Sequence, residues 1–88
     1  MDPATRYRLI ELLWSGLNAH GLRELARTVS STKDQPLLDM LDVLSRVERE
    51  PGLPADAHRL VAMCKQALTG KITEDGFARA VQRAHGLL

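Results

Sequence analysis

Apolar residues recur at intervals of three and four along most of this chain, and each run is cut off by a glycine, a proline or a polar cluster. That pattern restricts the fold to short helices, because a face repeating every 3.6 residues cannot be laid on one side of a pleated strand. Asp2-Pro3 is a helix start: the Asp side chain can accept from orphan amides, and proline at the first helical position gives up nothing. The first helix is expected from about Pro3 to Ala19. Tyr7, Ile10, Trp14 and Leu17 mark one of its faces, and Leu9, Leu12 and Leu13 broaden it enough to need neighbours on two sides. His20-Gly21 reads as the stop, with glycine free to take the left-handed cap.

A second, two-turn helix is built on Leu22, Leu25, Ala26 and Val29, with Arg23, Glu24 and Arg27 outside; it fades into a polar run, Ser30 to Gln35, that reads as a loop. The third spans roughly Gln35 to Glu50, with Asp34 as cap and Pro36 in its first turn. Its main stripe is Leu37, Leu41, Leu44 and Val47, with Leu38 and Met40 beside it, and Pro51-Gly52 ends it. Leu53-Pro54-Ala55-Asp56 opens a fourth helix with the stripe Leu60, Val61, Cys64, Ala67 and Leu68, closed by Gly70. The fifth has the clearest start. Thr73 is the cap, Glu74 and Asp75 complement the dipole, and Ile72 can staple onto Phe77; the helix continues through Ala80, Val81 and Ala84. No stretch of four or more residues alternates in the manner of a strand. The expected fold is all-α, a compact bundle of about five short helices making one helical domain over residues 1–88.

Size and composition set what such a bundle can bury. Eighty-eight residues make one core at most. Ten of the apolar residues are Ala and only Tyr7, Trp14 and Phe77 are aromatic, so the core is thin and built from leucine. In so small a bundle few positions are surrounded on all sides, and surplus apolar stripes on the first and third helices are expected at interfaces. Trp14 is read as core. Its other reading is a seam on the first helix in which Tyr7, Ile10, Trp14 and Leu17 anchor a partner, since aromatic anchors often dominate interfaces.

Net charge is +1, which excludes a protein that coats polyanions and an acidic disordered tail, both of which need a large field of one sign. The charge is uneven nonetheless: residues 1–33 carry +2, residues 34–56 carry −4 and residues 57–88 carry +3. An acidic third helix thus lies between basic ends. These charges either neutralise one another within the bundle or face a complementary partner, with Asp39, Asp42 and Glu48 against arginines of another chain. One cysteine, Cys64, can form no internal disulfide, and the N-terminus has neither a signal-peptide core nor a span long enough for a bilayer, so a cytoplasmic location is expected. Nine of the twelve basic residues are Arg, a composition that suits a GC-rich bacterial genome.

No pattern carries chemistry. His20, His58 and His85 show no ligand spacing, and with a single Cys no metal site is expected. His20 and His85 each precede a glycine and read as helix-end residues beside the negative dipole terminus. Cys64 falls on an apolar stripe and reads as a small hydrophobe. Ser30 and Ser31 lie in no nucleophile elbow, and no glycine-rich phosphate loop occurs. The expectation is therefore no catalytic residue, no cofactor and no small-molecule substrate.

Two local resemblances remain. Gly21-Leu22-Arg23-Glu24-Leu25-Ala26-Arg27-Thr28-Val29 looks like the first helix of a bacterial helix-turn-helix, where apolar residues flank a small Ala that lets helices cross closely. The likeness stops at Val29, where the tight turn of that family has Gly instead of Ser30 and an apolar residue instead of Ser31. A longer turn, as in winged-helix regulators, would restore the register and make the third helix the reader. That helix, however, carries Asp39, Asp42, Glu48 and Glu50 against Arg46 and Arg49, and acids facing phosphates oppose the counterion-release term on which DNA affinity depends. Leu68-Thr69-Gly70-Lys71-Ile72-Thr73-Glu74-Asp75-Gly76-Phe77, with the closing Leu87-Leu88, resembles the short helical hairpin of the SHOCT family, which implies an interaction or oligomerisation element. Gly76 stands where that family has an acid, and a capped, stapled turn yields most of the same letters by physics alone. The sequence as a whole reads as a small non-enzymatic protein–protein interaction module, a regulator or adaptor that binds a partner protein or forms a homodimer. A helix-turn-helix-like DNA-binding regulator is the alternative.

Overall fold

A computed structural model describes residues 1–86, and among them the chain is all-α: α1 (Pro3–Ala19), α2 (Arg23–Ser30), α3 (Leu37–Glu48), α4 (Ala55–Leu68) and α5 (Glu74–Ala84). Leu87 and Leu88, the closing pair of the hairpin resemblance, lie outside the described residues. α1 is the hub, packing on α2, α4 and α5, while α3 packs on α2 and α4. The radius of gyration is 11.5 Å, close to the roughly 12 Å of a folded chain this long.

The two ends of α1 form as their residue chemistry dictates. The Asp2 carboxylate accepts from the Thr5 amide at 2.9 Å, and hydrogen bonding with the Thr5 side chain first and this amide second lowers its pKa from the ordinary carboxylate value. At the other end Gly21, with φ +75°, lets its own amide reach Asn18 O at 2.9 Å and the Leu22 amide reach Leu17 O at 3.0 Å. This double closure turns the chain sharply into α2. In α5 the Thr73 hydroxyl accepts from the Gly76 amide at 2.9 Å, Phe77 is fully buried, and Ile72 packs on the core.

Two expectations are corrected. Asp34 does not cap α3. The helix begins after Pro36, which has φ −59° and ψ 154° and makes no side-chain cap, because a residue before proline is held out of the helical region and Gln35 cannot join. The buried stripe of α3 is Met40, Leu44 and Val47; Leu37 and Leu41 are half-buried and Leu38 is 79% exposed. Packing against α2 on one side and α4 on the other turns the helix away from the face its leucines alone indicate. The polar run after α2 is a turn from Ser31 on, as expected, and within it Thr32 is fully buried, its hydroxyl donating to Val29 O at 2.7 Å.

The core gathers Leu9, Ile10, Leu13 and Leu17 of α1, Val61, Cys64 and Leu68 of α4, and Phe77 and Val81 of α5. α1 comes close to α4 at Gly16: a Cβ there would meet Leu60 Cδ1 at 2.8 Å. Cys64 is buried with its thiol 3.8 Å from Leu9 O, and burial pushes its pKa from 9.0 up to about 12. A thiol whose native pKa lies above its unfolded one stabilises the fold fully below the unfolded pKa, and that stability drains away as pH rises through the native value. Wild type is therefore expected to lose stability between pH 9 and about 12 more steeply than Cys64→Ala, with the difference approaching about 1.4 kcal/mol per pH unit. Denaturant melts of both proteins across that range check this; parallel curves would refute it.

Candidate functional site

Trp14 is the residue around which a site can be built. It is 44% exposed, against the expectation that it is core. The buried face of α1 is centred on Leu9, Leu13 and Gly16, flanked by Ile10 and Leu17, and Trp14 is carried about 100° past Leu13 by the helical twist. The four-residue seam is corrected with it: Ile10 and Leu17 are fully buried, so of Tyr7, Ile10, Trp14 and Leu17 only half-buried Tyr7 and exposed Trp14 reach the surface.

Trp14 lines an open concavity of about 540 Å³ with Asn18 of α1, Arg23 and Arg27 of α2, and Lys33 of the following turn. Three cations and no carboxylate line it. Other surface concavities mix their signs: one sets Arg6, Arg8 and Lys33 beside Asp34, another Arg59 and Arg83 beside Asp56, a third Lys65 and Lys71 beside Glu48. Arg27 lies 3.8 Å from Glu24, with both side chains about four-fifths exposed, a pairing that contributes little in water. Lys33 Nζ sits 5.1 Å from the centroid of the Tyr7 ring, a cation–π contact with a residue of the neighbouring concavity, so that Lys33 borders both hollows. Arg23 makes no ion pair among the described residues.

The acidic residues expected to face a partner separate in the structure. Glu48 is turned inward, accepting from Lys65 Nζ at 2.9 Å to tie α3 to α4, with side chains 21% and 30% exposed. Asp42 accepts from Arg46 one turn further along its own helix. Asp39 is exposed and has no ion-pair partner among the described residues, and Leu38 stands beside it. Leu38 and Trp14, with Met1, are the large apolar residues that the surface exposes.

The sequence reading missed Lys33 and Leu38 and did not assemble the arginines, although Arg23 and Arg27 one turn apart outside an amphipathic helix were a usable signal. The histidines sit at helix ends: His20 follows α1, His85 follows α5 and contacts Ser15 Oγ through Nε2 at 2.7 Å, and His58 is exposed on the first turn of α4. Among the described residues no three His, Cys, Asp or Glu are grouped to hold a metal ion, and no helix is long and apolar enough to cross a membrane. Compared with known protein families, curated proteins and solved structures, the chain matches none.

Proposed function

We propose that this chain is a non-enzymatic protein–protein interaction module, a regulator or adaptor of the bacterial cytoplasm that works by occupying the surface of a partner protein or of another copy of itself. The observation that supports the reading is the exposed Trp14 in a concavity lined by Arg23, Arg27 and Lys33. An aromatic residue in a shallow hollow with cations at its edge is the usual make-up of an interface anchor. The helix that carries it is fixed on three other helices, so little ordering cost attends binding there.

The test begins with the fold. Trp14→Asp is expected to keep its helical circular dichroism and a cooperative melt, with stability within about 1 kcal/mol of wild type, as for other surface substitutions. Collapse of the melt would return Trp14 to the core and end the reading. Affinity capture from the native host should then recover, with wild type and with the remote control Arg79→Glu, a protein that Trp14→Asp does not recover, and the purified pair should reproduce the difference.

The DNA-binding reading meets a specific obstacle in the fold. Were α3 the reading helix, its outward residues would be Leu38, Asp39, Asp42 and Arg46, two carboxylates against one guanidinium that Asp42 already holds, and carboxylates toward phosphates work against binding. The expected outcome is that random duplex is not shifted even at about 50 mM salt. A salt-sensitive shift would instead favour DNA.

A further inference from the structure

The exposed apolar residues Leu38 and Trp14 lie in surroundings of opposite charge, and this indicates what covers them. We propose that the Trp14 concavity of one copy receives the Leu38 end of α3 of a second copy, so that copies associate head to tail. This rests on the reading of the chain as an interaction module and supplies the partner.

The spacing of the charges matches. Asp39 and Asp42 lie three residues apart on α3, and Arg23 and Arg27 four apart on α2; in both cases the helix sets the side chains one above the other, roughly 5–6 Å apart at Cβ. A pair of carboxylates can therefore meet a pair of guanidiniums while Leu38, 79% exposed, covers the ring of Trp14. Lys33 supplies a third cation at the rim. Asp42 would exchange its surface pair with Arg46, which contributes little in water, for a less solvated one.

Charge rules out pairing either face with itself and leaves contacts of the concavity with α3, whether open or closed reciprocally about a two-fold axis. A two-fold pairing through the Trp14 face would set Arg23, Arg27 and Lys33 of one copy against the same three of the other, and a two-fold pairing through α3 would oppose Asp39 and Asp42 to themselves. Like charges repel in both, whereas the head-to-tail contact opposes unlike ones. A nucleic acid suits the pair of features less well: it would engage the cations of the hollow and leave Leu38, 79% exposed, uncovered. One helix end in one shallow hollow is expected to cover less than a stable interface needs. Stable interfaces cover about 800 Å² per partner, some 15% of the 5235 Å² surface of this chain, so the association is weak, dependent on concentration and relaxed by salt.

The experiment is light scattering of the full chain over a concentration series in about 50 mM and about 0.5 M salt, with two paired variants. Leu38→Ala/Asp39→Ala removes the projecting end and keeps the concavity; Trp14→Ala/Arg27→Glu does the reverse. Wild type is expected to rise above the mass of one chain with concentration, less so in high salt. Each variant alone, with unchanged circular dichroism, should remain at one chain, and an equimolar mixture should reach two chains and stop there, because only one compatible contact is left. A wild type that stays at one chain up to about 1 mM, a variant that still associates alone, or a mixture that does not pair overturns the proposal.

Trp14 is the single tryptophan of the chain, so its fluorescence separates this failure from failure of the underlying reading. If wild type stays monomeric yet an alternating Glu-Leu peptide shifts the emission of wild type and leaves that of the Arg27→Glu chain unchanged, self-association falls and the interaction module stands. If only single-stranded oligothymidine shifts it, both fall in favour of nucleic acid.

Discussion

Phe77→Ala is expected to remove about 3–5 kcal/mol of stability, a large share of the roughly 4–13 kcal/mol that a chain of this length possesses at about 0.05–0.15 kcal/mol per residue. Phe77 is the largest fully buried side chain and the one buried aromatic, on the first turn of α5. Its position is fixed from two sides: the Thr73 hydroxyl caps the helix through the Gly76 amide, and Ile72 packs on the core before it. α1 and α4 both contact α5, so the cavity left by the ring would open among three helices, none of which can close it without leaving the others. Urea unfolding followed by circular dichroism measures the effect as a fall in midpoint at unchanged slope. A loss below about 1 kcal/mol would mean that the ring contributes little to the packing of α5.

Gly16→Leu is the second large effect, and it comes from too much volume. A Cβ at this position already lies 2.8 Å from Leu60 Cδ1, with Val81 Cγ2 at 3.6 Å and Cγ1 at 3.7 Å behind it. A leucine adds three further carbons where α4 and α5 leave no room. The expected cost is about 3 kcal/mol or more, at the upper end for overpacking, because relief requires α1 to move off both helices. Gly16→Ala should be mild by comparison. The roughly 1 kcal/mol that alanine gains in helix propensity offsets the displacement of one methyl group. Adding Leu60→Ala to Gly16→Leu should recover part of the loss, so the double variant would be more stable than the sum of the two single changes allows. Strict additivity would show that the two residues do not compete for the same space.

Local chemistry was legible in the sequence wherever it acts alone. Asp2-Pro3, His20-Gly21, Gly70 and Thr73 each mark a helix end by their own bonding and backbone preferences, and the structure places ends at all four. The buried stripe of α4 was equally plain, because Leu60, Val61, Cys64, Ala67 and Leu68 leave no competing face. α3 differed: Leu37, Leu38, Met40 and Leu41 are all apolar, so more than one rotation of the helix buries a leucine stripe, and contacts with α2 and α4 choose among them. Trp14 was misread for a related reason. The apolar width of α1 showed that several neighbours were needed but did not show where their cover ends.

Gly16 was invisible, since a close approach between helices is a property of two elements and only one letter of it is written in α1. Of the candidate site, the exposed aspartates and basic α2 could be found one at a time, whereas the hollow that collects Trp14, Asn18, Arg23, Arg27 and Lys33 exists only once α1, α2 and the turn after α2 are in place.

The packing of α1 also determines when the molecule can form. Arg8 bonds Glu74 at 3.0 Å and Ser15 contacts His85 at 2.7 Å, pairs 66 and 70 positions apart in the chain, and between them lies the face that α4 and α5 cover. The helix made early in synthesis thus waits for the one made late. With α2 as its sole early neighbour, it carries Leu9, Leu13 and Leu17 without their final cover through most of translation. Folding of this domain is therefore an event that follows the emergence of α5, and a chain halted before α5 is the form most exposed to aggregation and proteolysis.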